Sequence, residues 1–231
     1  FQKRSRRSCR MAFSLRRQAR PLSSFGGSKP SFALPPTARP RYPLQMPERS
    51  EKEKMLAGEL YQAGGEELAS ERLACRELIQ RYNQSAPSQF AERADLLRQL
   101  LGKSHKSAYI EPPFRCDYGY NISVGKAFYA NFDCVFLDVN PIVIGDFVKL
   151  GPGVHIYTAA HPIDPTERSR FLEFGKPVTI SDEVWIGGGA IICPGVTIGS
   201  GAVIGAGSVV VKDIPERTVA VGNPCKVVRR I

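Results

Sequence analysis

Residues 180–215 read ISDEVW IGGGAI ICPGVT IGSGAV IGAGSV VVKDIP when the chain is cut every six residues. Each block opens on an aliphatic residue and carries a small or branched residue four places later. That second residue precedes the next aliphatic one by two positions, so the two side chains point to the same side of a short strand. Six-residue repeats of this kind are the sequence signature of a parallel β-helix.

The residues between the repeated positions indicate tight corners. Glycine, Asp and Asn tolerate left-handed backbone, and they cluster where each block must turn, at Gly145-Asp146, Gly187-Gly188, Gly199-Ser200 and Gly205-Ala206. Three strand-and-corner units, about eighteen residues, would close one triangular coil and bury its aliphatic residues against the coils above and below. Ordinary antiparallel strands would not keep one six-residue phase as far as Val210.

The same phase occurs earlier, at Ile144, Leu150 and Ile156, with Val148, Val154 and Ala160 four residues on. A weaker series precedes it at Val124, Ala130 and Phe136, and a two-residue slip at Asn140-Pro141 separates the two. No six-residue pattern is found in the polar stretch between Pro162 and Pro177. A loop that leaves a coil and rejoins it is expected to be exposed and to serve function.

The net charge of +10 comes from one end of the chain. Residues 1–46 hold 11 Lys and Arg and no Asp or Glu, whereas the remaining 185 residues hold 21 basic and 22 acidic side chains. The folded part is therefore nearly neutral, which argues against nucleic-acid binding. We predict a disordered basic extension over 1–46. Its composition also fits an organellar transit peptide; the alternative is upstream sequence before a start at Met11 or Met46.

Two further features exclude broad classes of protein. No stretch approaches the roughly 20 apolar residues of a membrane span. The cysteines show no C-x-x-C pair and no metal-ligand spacing, so we expect buried free thiols in a reducing compartment at Cys9, Cys75, Cys116, Cys134, Cys193 and Cys225.

A helical segment is predicted between Ser50 and Gly102. Ser50 and Glu53 form a capping box at its start, and Gly64-Gly65 is expected to end the first helix. Apolar residues then recur at helical spacing, with a break near Pro87, at Leu68, Leu73, Leu78, Ile79, Tyr82, Leu96, Leu97, Leu100 and Leu101. We expect this segment to pack on the β-helix, because it is too small to fold well alone.

The chain has three histidines, and one of them has a distinctive position. His161 ends the block that begins at Ile156, where the chain leaves the coil, so its imidazole is expected on the rim of a rigid scaffold. An imidazole side chain changes protonation near neutrality and suits a general base. His105 and His155 have no comparable context, and the coil offers no third histidine for a zinc site of the carbonic-anhydrase type.

Seven stretches make the chain similar to a known family. They are Glu51-Lys-Glu-Lys-Met-Leu-Ala-Gly-Glu-Leu-Tyr, Arg115-Cys-Asp-Tyr-Gly-Tyr-Asn-Ile, Tyr129-Ala-Asn-Phe-Asp-Cys, Gly151-Pro-Gly-Val-His-Ile-Tyr-Thr-Ala-Ala-His-Pro, Gly175-Lys-Pro-Val-Thr-Ile, Val184-Trp-Ile-Gly-Gly and Gly222-Asn-Pro-Cys. The chain resembles the hexapeptide-repeat sugar O-acetyltransferases, the maltose acetyltransferase branch first and the galactoside branch next. Ala63 and Asp117 depart from the galactoside pattern, which favours the maltose or glucose branch.

The resemblance implies a fold and a domain order. The expected fold is mainly β, a left-handed parallel β-helix of hexapeptide repeats with a small N-terminal α-helical segment. A helical segment of the maltose acetyltransferase type is expected over 47–105, and the acetyltransferase domain over 106–231.

The resemblance also implies an activity. Acetyl-CoA would donate an acetyl group to a sugar hydroxyl, usually the 6-hydroxyl of maltose, glucose or a related sugar, without a metal. His161 would be the general base, and the backbone N–H of Gly188 the oxyanion donor, unless Gly188 only makes a corner. No cysteine or serine is expected to be paired with a base, so direct attack in a ternary complex is favoured over a covalent acetyl carrier.

Further site residues follow from matching family positions. The acceptor residues would be Arg72, Asp117, Asn131 and Glu173. Asp117 could instead be a solvated charge, and Glu173 could instead orient His161. The CoA residues would be Gly188, Ala206, Lys212, Lys226 and Arg229, the last three supplying cations for phosphates. Asp138 also matches a family position, without a clear role.

The family implies a homotrimer with active sites shared between subunits, and the outward Trp185 agrees with a covered face. Two alternatives stay open: an acetyltransferase for a non-sugar hydroxyl, such as a xenobiotic or serine, and a non-catalytic scaffold subunit. We expect the cytoplasm, or mitochondria if 1–46 is a genuine transit peptide. We expect neither nucleic acid nor membrane as a partner.

Overall fold

The computed structural model describes residues 49–231. The predicted extension over 1–46 lies outside the described residues, so it stays a prediction. Helices α1 (Glu51–Ala57), α2 (Glu66–Gln84) and α3 (Phe90–Leu100) come first, with the short strand β1 (Tyr61–Gln62) between the first two. A parallel β-helix with three faces follows.

Each turn of the coil gives one strand to each face, and we number the faces in chain order. Face one contains β2 (Lys103–Ser104), β5 (Ile122–Val124), β8 (Ile142–Ile144), β13 (Val178–Ile180) and β16 (Thr197–Ile198). Face two contains β3 (Tyr109–Ile110), β6 (Tyr129–Ala130), β9 (Lys149–Leu150), β14 (Trp185–Ile186), β17 (Val203–Ile204), β19 (Thr218–Val221) and β20 (Lys226–Arg230). Face three contains β4 (Phe114–Cys116), β7 (Cys134–Leu137), β10 (His155–Tyr157), β15 (Ile191–Ile192) and β18 (Val209–Val210).

The repeated positions form the core. All six aliphatic residues from Ile180 to Val210 and the six residues that follow each by four are buried. Ser208 is the polar member of the second series, and its hydroxyl accepts a hydrogen bond from the Gly222 amide at 3.0 Å, as a buried polar group requires. The predicted parallel β-helix with a small helical segment is confirmed.

One corner of the coil is longer than the others in the first three turns. Phe114 pairs with Cys134, 20 residues later, whereas Ile191 pairs with Val209, 18 residues later. The extra residues lie where face three passes to face one, which we call corner 3–1. This corner spans 117–121 in the first turn, 138–141 in the second and 158–177 in the third. The slip predicted at Asn140-Pro141 is therefore an enlarged corner.

The inward series differs from the prediction at this corner. Ala160, expected inside the coil, is half-buried outside it, and Thr158 is fully buried instead. The Thr158 hydroxyl donates to the Leu137 carbonyl at 2.7 Å and accepts from the Asn140 amide at 3.0 Å. The six-residue repeat is thus interrupted after Ile156. A polar side chain takes the inward position there because it forms hydrogen bonds with the main chain at the corner of the preceding turn.

The helical segment begins as predicted but divides differently. Ser50 and Glu53 form both hydrogen bonds of the capping box. The first helix ends at Gly58, whose φ of 74° is left-handed, so the expected end at Gly64-Gly65 is wrong. Gly65 instead precedes α2 as its N-cap. Leu73, expected on the apolar face, is 59% exposed, and Cys75 is buried in its place.

The start of the helical segment is attached to corner 3–1. The Asn140 side chain donates to the carbonyls of Met55 and Leu56 at 3.0 and 3.2 Å, in the last turn of α1, where carbonyls lack partners further along the helix. A small buried cluster joins the two parts, and it consists of Met55, Tyr61, Leu68, Tyr118 and Val139. The predicted packing of helices on the coil is confirmed.

Other expectations have mixed outcomes. Cys75, Cys116, Cys134 and Cys225 are buried free thiols and Cys193 is half-buried, while Cys9 lies outside the described residues. Within 49–231, no helix is long and apolar enough to cross a membrane, and no group of three or more His, Cys, Asp or Glu could hold a metal ion.

Candidate active site

In the third turn of the coil, corner 3–1 is a long loop with secondary structure of its own. Strand β11 (Ala159–Ala160) leaves the coil, the single turn α4 (Pro165–Arg168) follows, and β12 (Leu172–Gly175) returns. The Asp164 carboxylate caps α4 by accepting from the amides of Thr166 and Glu167 at 2.8 and 3.0 Å. Strand β12 pairs antiparallel with both β11 and β1. The returning limb is therefore fixed between the coil and the helical segment.

His161 is the first residue after β11 and its side chain is exposed. Its Nδ1 lies 3.2 Å from the carbonyl oxygen of Leu172 on the opposite limb. Because a carbonyl can only accept, Nδ1 carries the hydrogen, and the neutral ring keeps its free lone pair on Nε2. This is the tautomer that a general base acting through Nε2 requires.

A cleft of about 340 Å³ opens beside His161. It brings together four residues predicted from the sequence, and these are His161, Arg72, Asp117 and Glu173. Its remaining walls are Tyr61, Ala63, Arg76, Tyr118, Leu137, Val139 and Ala159. The cleft thus combines a candidate base with carboxylates, guanidinium groups and phenols that can bind hydroxyl groups.

Most of these side chains are held by specific hydrogen bonds. Arg72 donates from Nη1 to the Tyr118 hydroxyl at 2.6 Å and from Nη2 to the Ala63 carbonyl at 2.7 Å. The Tyr61 hydroxyl donates to Oε2 of Glu173 at 2.9 Å. Burial, reinforced by the Glu173 carboxylate, raises the pKa of Tyr61 far above its ordinary value. Tyr61 therefore stays protonated and can keep this bond.

Glu173 was a candidate for orienting His161, but the group on Nδ1 is the carbonyl of Leu172, the preceding residue. The Glu173 carboxylate is held by Tyr61 and lines the cleft itself. Its position therefore fits the acceptor role better than the orienting role.

Asp117 sits at the first passage of corner 3–1. Burial raises the pKa of Asp117, Glu173 adds to the rise, and the guanidinium groups of Arg72 and Arg76 oppose it. Its amide and that of Tyr118 both donate to Oδ1 of Asp138 at 2.9 Å. This residue is therefore a half-buried carboxyl facing cationic partners, rather than a solvated surface charge.

The other predicted residues lie on a different edge. Three of them come after neighbouring strands of face two: Asn131 after β6, Gly188 after β14 and Ala206 after β17. These residues therefore stack where face two passes to face three. We call this edge corner 2–3. Among the described residues, the Gly188 and Ala206 amides donate to no acceptor. Neither these two nor Asn131 lines the cleft beside His161.

Glycines keep corner 2–3 closely packed. A Cβ on Gly151 would meet the Gly188 nitrogen at 2.5 Å, and one on Gly187 would meet the Ala206 nitrogen at 2.5 Å. Side chains at these two glycines would therefore displace the free amides. Asn131 is held locally, because its Oδ1 accepts from the Phe132 amide at 2.9 Å.

The basic residues predicted for CoA lie near the end of the coil. Lys212 follows β18, and Lys226 and Arg229 lie on β20, which pairs antiparallel with β19. All three side chains are exposed. They do not line the cleft beside His161.

A second cleft of about 570 Å³ lies between α2 and face three. It shares Arg76, Asp117 and Leu137 with the first cleft, and Arg115 lines it as well. The larger cleft contains no histidine, so we place the chemistry in the smaller one.

Several residues of the site were missed from the sequence. Tyr61 ends the first stretch that carries the family resemblance, and Tyr118 lies in the second, so both motifs contained a usable signal. Arg76 gave none, because an exposed arginine one helical turn after Arg72 looks like an ordinary solvated residue. Its place in both clefts depends on how α2 lies across the coil.

The expectation about serines needs a correction. Ser107 is paired with a histidine, since its hydroxyl lies 2.7 Å from Nδ1 of His105. The Ser107 amide donates to the same nitrogen and the Ser107 hydroxyl accepts from the Ala127 amide. The pair is exposed and holds a turn in the first coil, and neither residue lines the two clefts.

The chain is similar to proteins of known family. Residues 54–105 match the maltose acetyltransferase hexapeptide capping motif, and residues 177–212 match the bacterial transferase hexapeptide of six repeats. A solved maltose O-acetyltransferase from Clostridium difficile 630 is 56% identical, with a TM-score of 0.79. The alignment covers 79% of this chain and 98% of that chain. The chain belongs to the hexapeptide-repeat sugar O-acetyltransferase family.

Two other members of the family show its breadth. A galactoside acetyltransferase solved in complex with coenzyme A is 39% identical, with 80% of this chain and 92% of that chain covered and a TM-score of 0.77. Nodulation protein L of Rhizobium meliloti is 50% identical over 179 residues, which are 78% of this chain and 98% of that protein. Proteins with different names thus share nearly their whole length with about four fifths of this chain.

Proposed function

We propose that this acetyltransferase moves an acetyl group from acetyl-CoA to a hydroxyl of maltose, glucose or a related sugar, with the 6-hydroxyl as the expected position. The observation that carries the proposal is the cleft in which His161, with Nδ1 fixed on a carbonyl, faces the polar side chains of Asp117, Arg72 and Glu173. Carboxylates and guanidinium groups are suited to fix vicinal hydroxyls, and they leave the lone pair of Nε2 for the reacting one.

The reaction follows from these groups in a single displacement. Nε2 of His161 takes the proton from the sugar hydroxyl as its oxygen attacks the thioester carbon, and the carbonyl electrons move to the oxygen. The free amide of Gly188 suits the resulting oxyanion, since each such donor is typically worth about 10²–10³ in rate. Collapse breaks the carbon–sulfur bond, and the CoA thiolate takes the proton back from Nε2. The acetyl group is never bonded covalently to the enzyme, so no nucleophilic side chain is needed.

Acetyl-CoA fits the described residues of corner 2–3. The thioester needs close approach to a main-chain donor, and Gly188 and Ala206 present amides that are free among residues 49–231. Asn131 is half-buried on the same edge, where it would meet the acceptor. The exposed cations of Lys212, Lys226 and Arg229 are suited to the pyrophosphate and the ribose phosphate.

This division of residues supports a site shared between copies. His161 and Asp117 lie on corner 3–1, whereas Gly188 and Ala206 lie on corner 2–3, a different edge of the same triangular coil. A neighbouring copy that presents its corner 2–3 would complete the cleft. Three such contacts close a ring about a threefold axis, and the exposed Trp185 on face two would be covered there.

We expect a homotrimer in solution. In this arrangement each copy places its corner 3–1 against one neighbour and its corner 2–3 against the other, so that three copies can form a closed ring. Light scattering at micromolar concentration should therefore give about three times the mass of the 25.4 kDa chain. A stable monomer that retains full acetyltransferase activity would refute the shared site.

The acceptor class is tested by a thiol-release assay with acetyl-CoA. The panel holds glucose, maltose and a galactoside, with chloramphenicol and serine representing non-sugar hydroxyls. We expect CoA release with sugars that persists in the presence of a chelator, because the proposed site uses only side chains and main-chain amides. Turnover confined to chloramphenicol or serine would contradict the sugar assignment, and no turnover with any acceptor would favour a scaffold subunit.

A further inference from the structure

Asp138 is the buried carboxylate of the described chain. It follows β7 at the second passage of corner 3–1, its relative exposure is 0%, and no other Asp or Glu within 49–231 is buried. Its Oδ1 accepts from two consecutive amides, those of Asp117 and Tyr118, both at 2.9 Å. Its Oδ2 is buried and makes no hydrogen bond of normal geometry among the described residues, although the Gly119 amide is near enough to the carboxylate to lower its pKa. A buried polar atom without a partner is costly and therefore needs an explanation.

The coil itself does not require a carboxylate at this place. One turn later the equivalent residue is Thr158, whose hydroxyl accepts from the Asn140 amide and donates to the Leu137 carbonyl. The neutral hydroxyl holds the corner of the preceding turn and leaves no atom unpaired. Where the coil uses carboxylates to cap corners elsewhere, as at Asp146 and Asp182, the side chains are not buried. Corner construction alone therefore does not explain Asp138.

The corner that Asp138 holds carries the acceptor side of the cleft. Asp117 lines the cleft directly, and the hydroxyl of Tyr118 receives the hydrogen bond from Arg72. Asp138 is the one side chain that bonds to the main chain of both residues. His161, by contrast, is held by the β11–β12 limbs through the Leu172 carbonyl. The acceptor half of the cleft and the base thus have separate supports.

We propose that Asp138 is a positioning residue for the sugar acceptor, which fixes the Asp117 carboxylate and the Tyr118–Arg72 pair without touching the substrate. The proposal rests on the sugar O-acetyltransferase function above. Two amides held by one oxygen set both the position and the direction of the residues that carry them, whereas the Thr158 hydroxyl at the equivalent place in the next turn accepts from one amide.

The electrostatics of this region make the Asp138 carboxyl easier to protonate than an ordinary aspartic acid. Burial, with a smaller contribution from the nearby Asp117 carboxylate, raises the pKa of Asp138 to about 7, against the opposing effect of the amides of Tyr118, Asp117 and Gly119. Cys116 and Tyr120 are the other titratable groups that Asp138 influences, and burial or hydrogen bonding raises the pKa of both. Asparagine has nearly the same shape as a neutral aspartic acid and keeps the accepting Oδ1, so it should substitute for it.

The experiment compares Asp138→Leu with Asp138→Asn in steady-state kinetics with maltose and acetyl-CoA. We expect Asp138→Leu to raise the KM for the sugar about tenfold or more, because two buried amides lose their acceptor. The kcat and the KM for acetyl-CoA should stay within about twofold, because the base and corner 2–3 have other supports. Asp138→Asn should restore the sugar KM to within about threefold of the wild type.

Asp146→Leu is the matched control. It removes a corner carboxylate that also accepts a main-chain amide, that of Lys126 at 2.6 Å, at the corner between faces one and two, and it does not line the cleft. The sugar KM should not change in this variant. If Asp138→Leu does not fold, Asp138→Thr copies the next turn, where the hydroxyl accepts from one amide, so it should give an intermediate sugar KM.

Each outcome decides something. Equal sugar KM in wild type and Asp138→Leu overturns the positioning role, as does a loss in Asp138→Asn as large as that in Asp138→Leu. A parallel rise in the KM for acetyl-CoA also overturns it, since that would be a general loss of structure. Wild-type protein that acetylates no sugar would instead refute the proposed function, independently of Asp138.

Discussion

His161→Ala should lower kcat for acetyl transfer to sugar by about 10²–10⁴-fold, the range that a positioned general base contributes. The lone pair of Nε2 is available because Nδ1 donates to the Leu172 carbonyl, and alanine removes both the base and its anchor. The sugar hydroxyl would then have to lose its proton to water during the attack. Thiol release with acetyl-CoA and saturating maltose measures the effect.

His105→Ala is the control for this substitution. The side chain of His105 is exposed and contacts only Ser107, and its main-chain bonds survive the substitution, so its loss should leave kcat unchanged. Since His161 is also exposed, His161→Ala should keep the thermal midpoint of the wild type and its affinity for acetyl-CoA. Wild-type kcat in His161→Ala would eliminate the proposed base and, with it, the mechanism.

Ile198→Ala should lower the free energy of unfolding by about 2–5 kcal/mol, the usual cost of truncating a fully buried Ile. Ile198 on β16 has 0% exposure and lies in the stacked aliphatic column, between Ile180 above and Ile214 below in register. Only neighbouring turns fill the core of a coil, so the rigid stack cannot close the cavity left by three missing carbons. Denaturant titration at one fixed protein concentration measures the change, because association contributes to stability.

Thr197→Ala on the same strand is the matched control. Thr197 points outward and is exposed, and its main-chain bond to Asp213 survives the substitution. The change in unfolding free energy should stay within about 0.5 kcal/mol, as for ordinary surface positions. Equal losses in the two variants would mean that the six-residue phase does not define the interior.

The coil was predictable because its information is local. Alternation along a strand puts Val184 and Ile186 inside and Trp185 outside. The predicted positions of left-handed backbone were wrong, because positive φ falls at glycines such as Gly189 and Gly201, two residues after Gly187 and Gly199. Gly187 and Gly199 are needed for another reason, since a Cβ on either would meet the backbone of the neighbouring turn at 2.5 and 2.4 Å.

The prediction failed at Ala160 and at Gly64-Gly65, where contacts with distant residues decide. Thr158 replaces Ala160 inside because it must hold the Asn140 amide, and α1 ends early because Gly58 packs against Gly175.

The candidate site could be predicted only in part. His161 stood out by its position at the end of a repeat, but Arg72, Asp117 and Glu173 came from the family resemblance. Their meeting in one cleft depends on pairings between Tyr61 and Glu173 and between Arg72 and Tyr118, which are 112 and 46 residues apart. No periodic pattern records such contacts, so Arg76 and the support given by Asp138 were not foreseen.

The amino-acid sequence by itself determined the interior of this protein, because a strict six-residue phase leaves one way to bury its aliphatic side chains. The tertiary structure alone decided which corner became the acceptor cleft. Corner 3–1 is enlarged in three successive turns, and the helical segment closes over it through Asn140, Tyr61 and Arg72. Enlarged corners expose main-chain and polar groups that need partners, and those partners come from parts of the chain that only folding brings near.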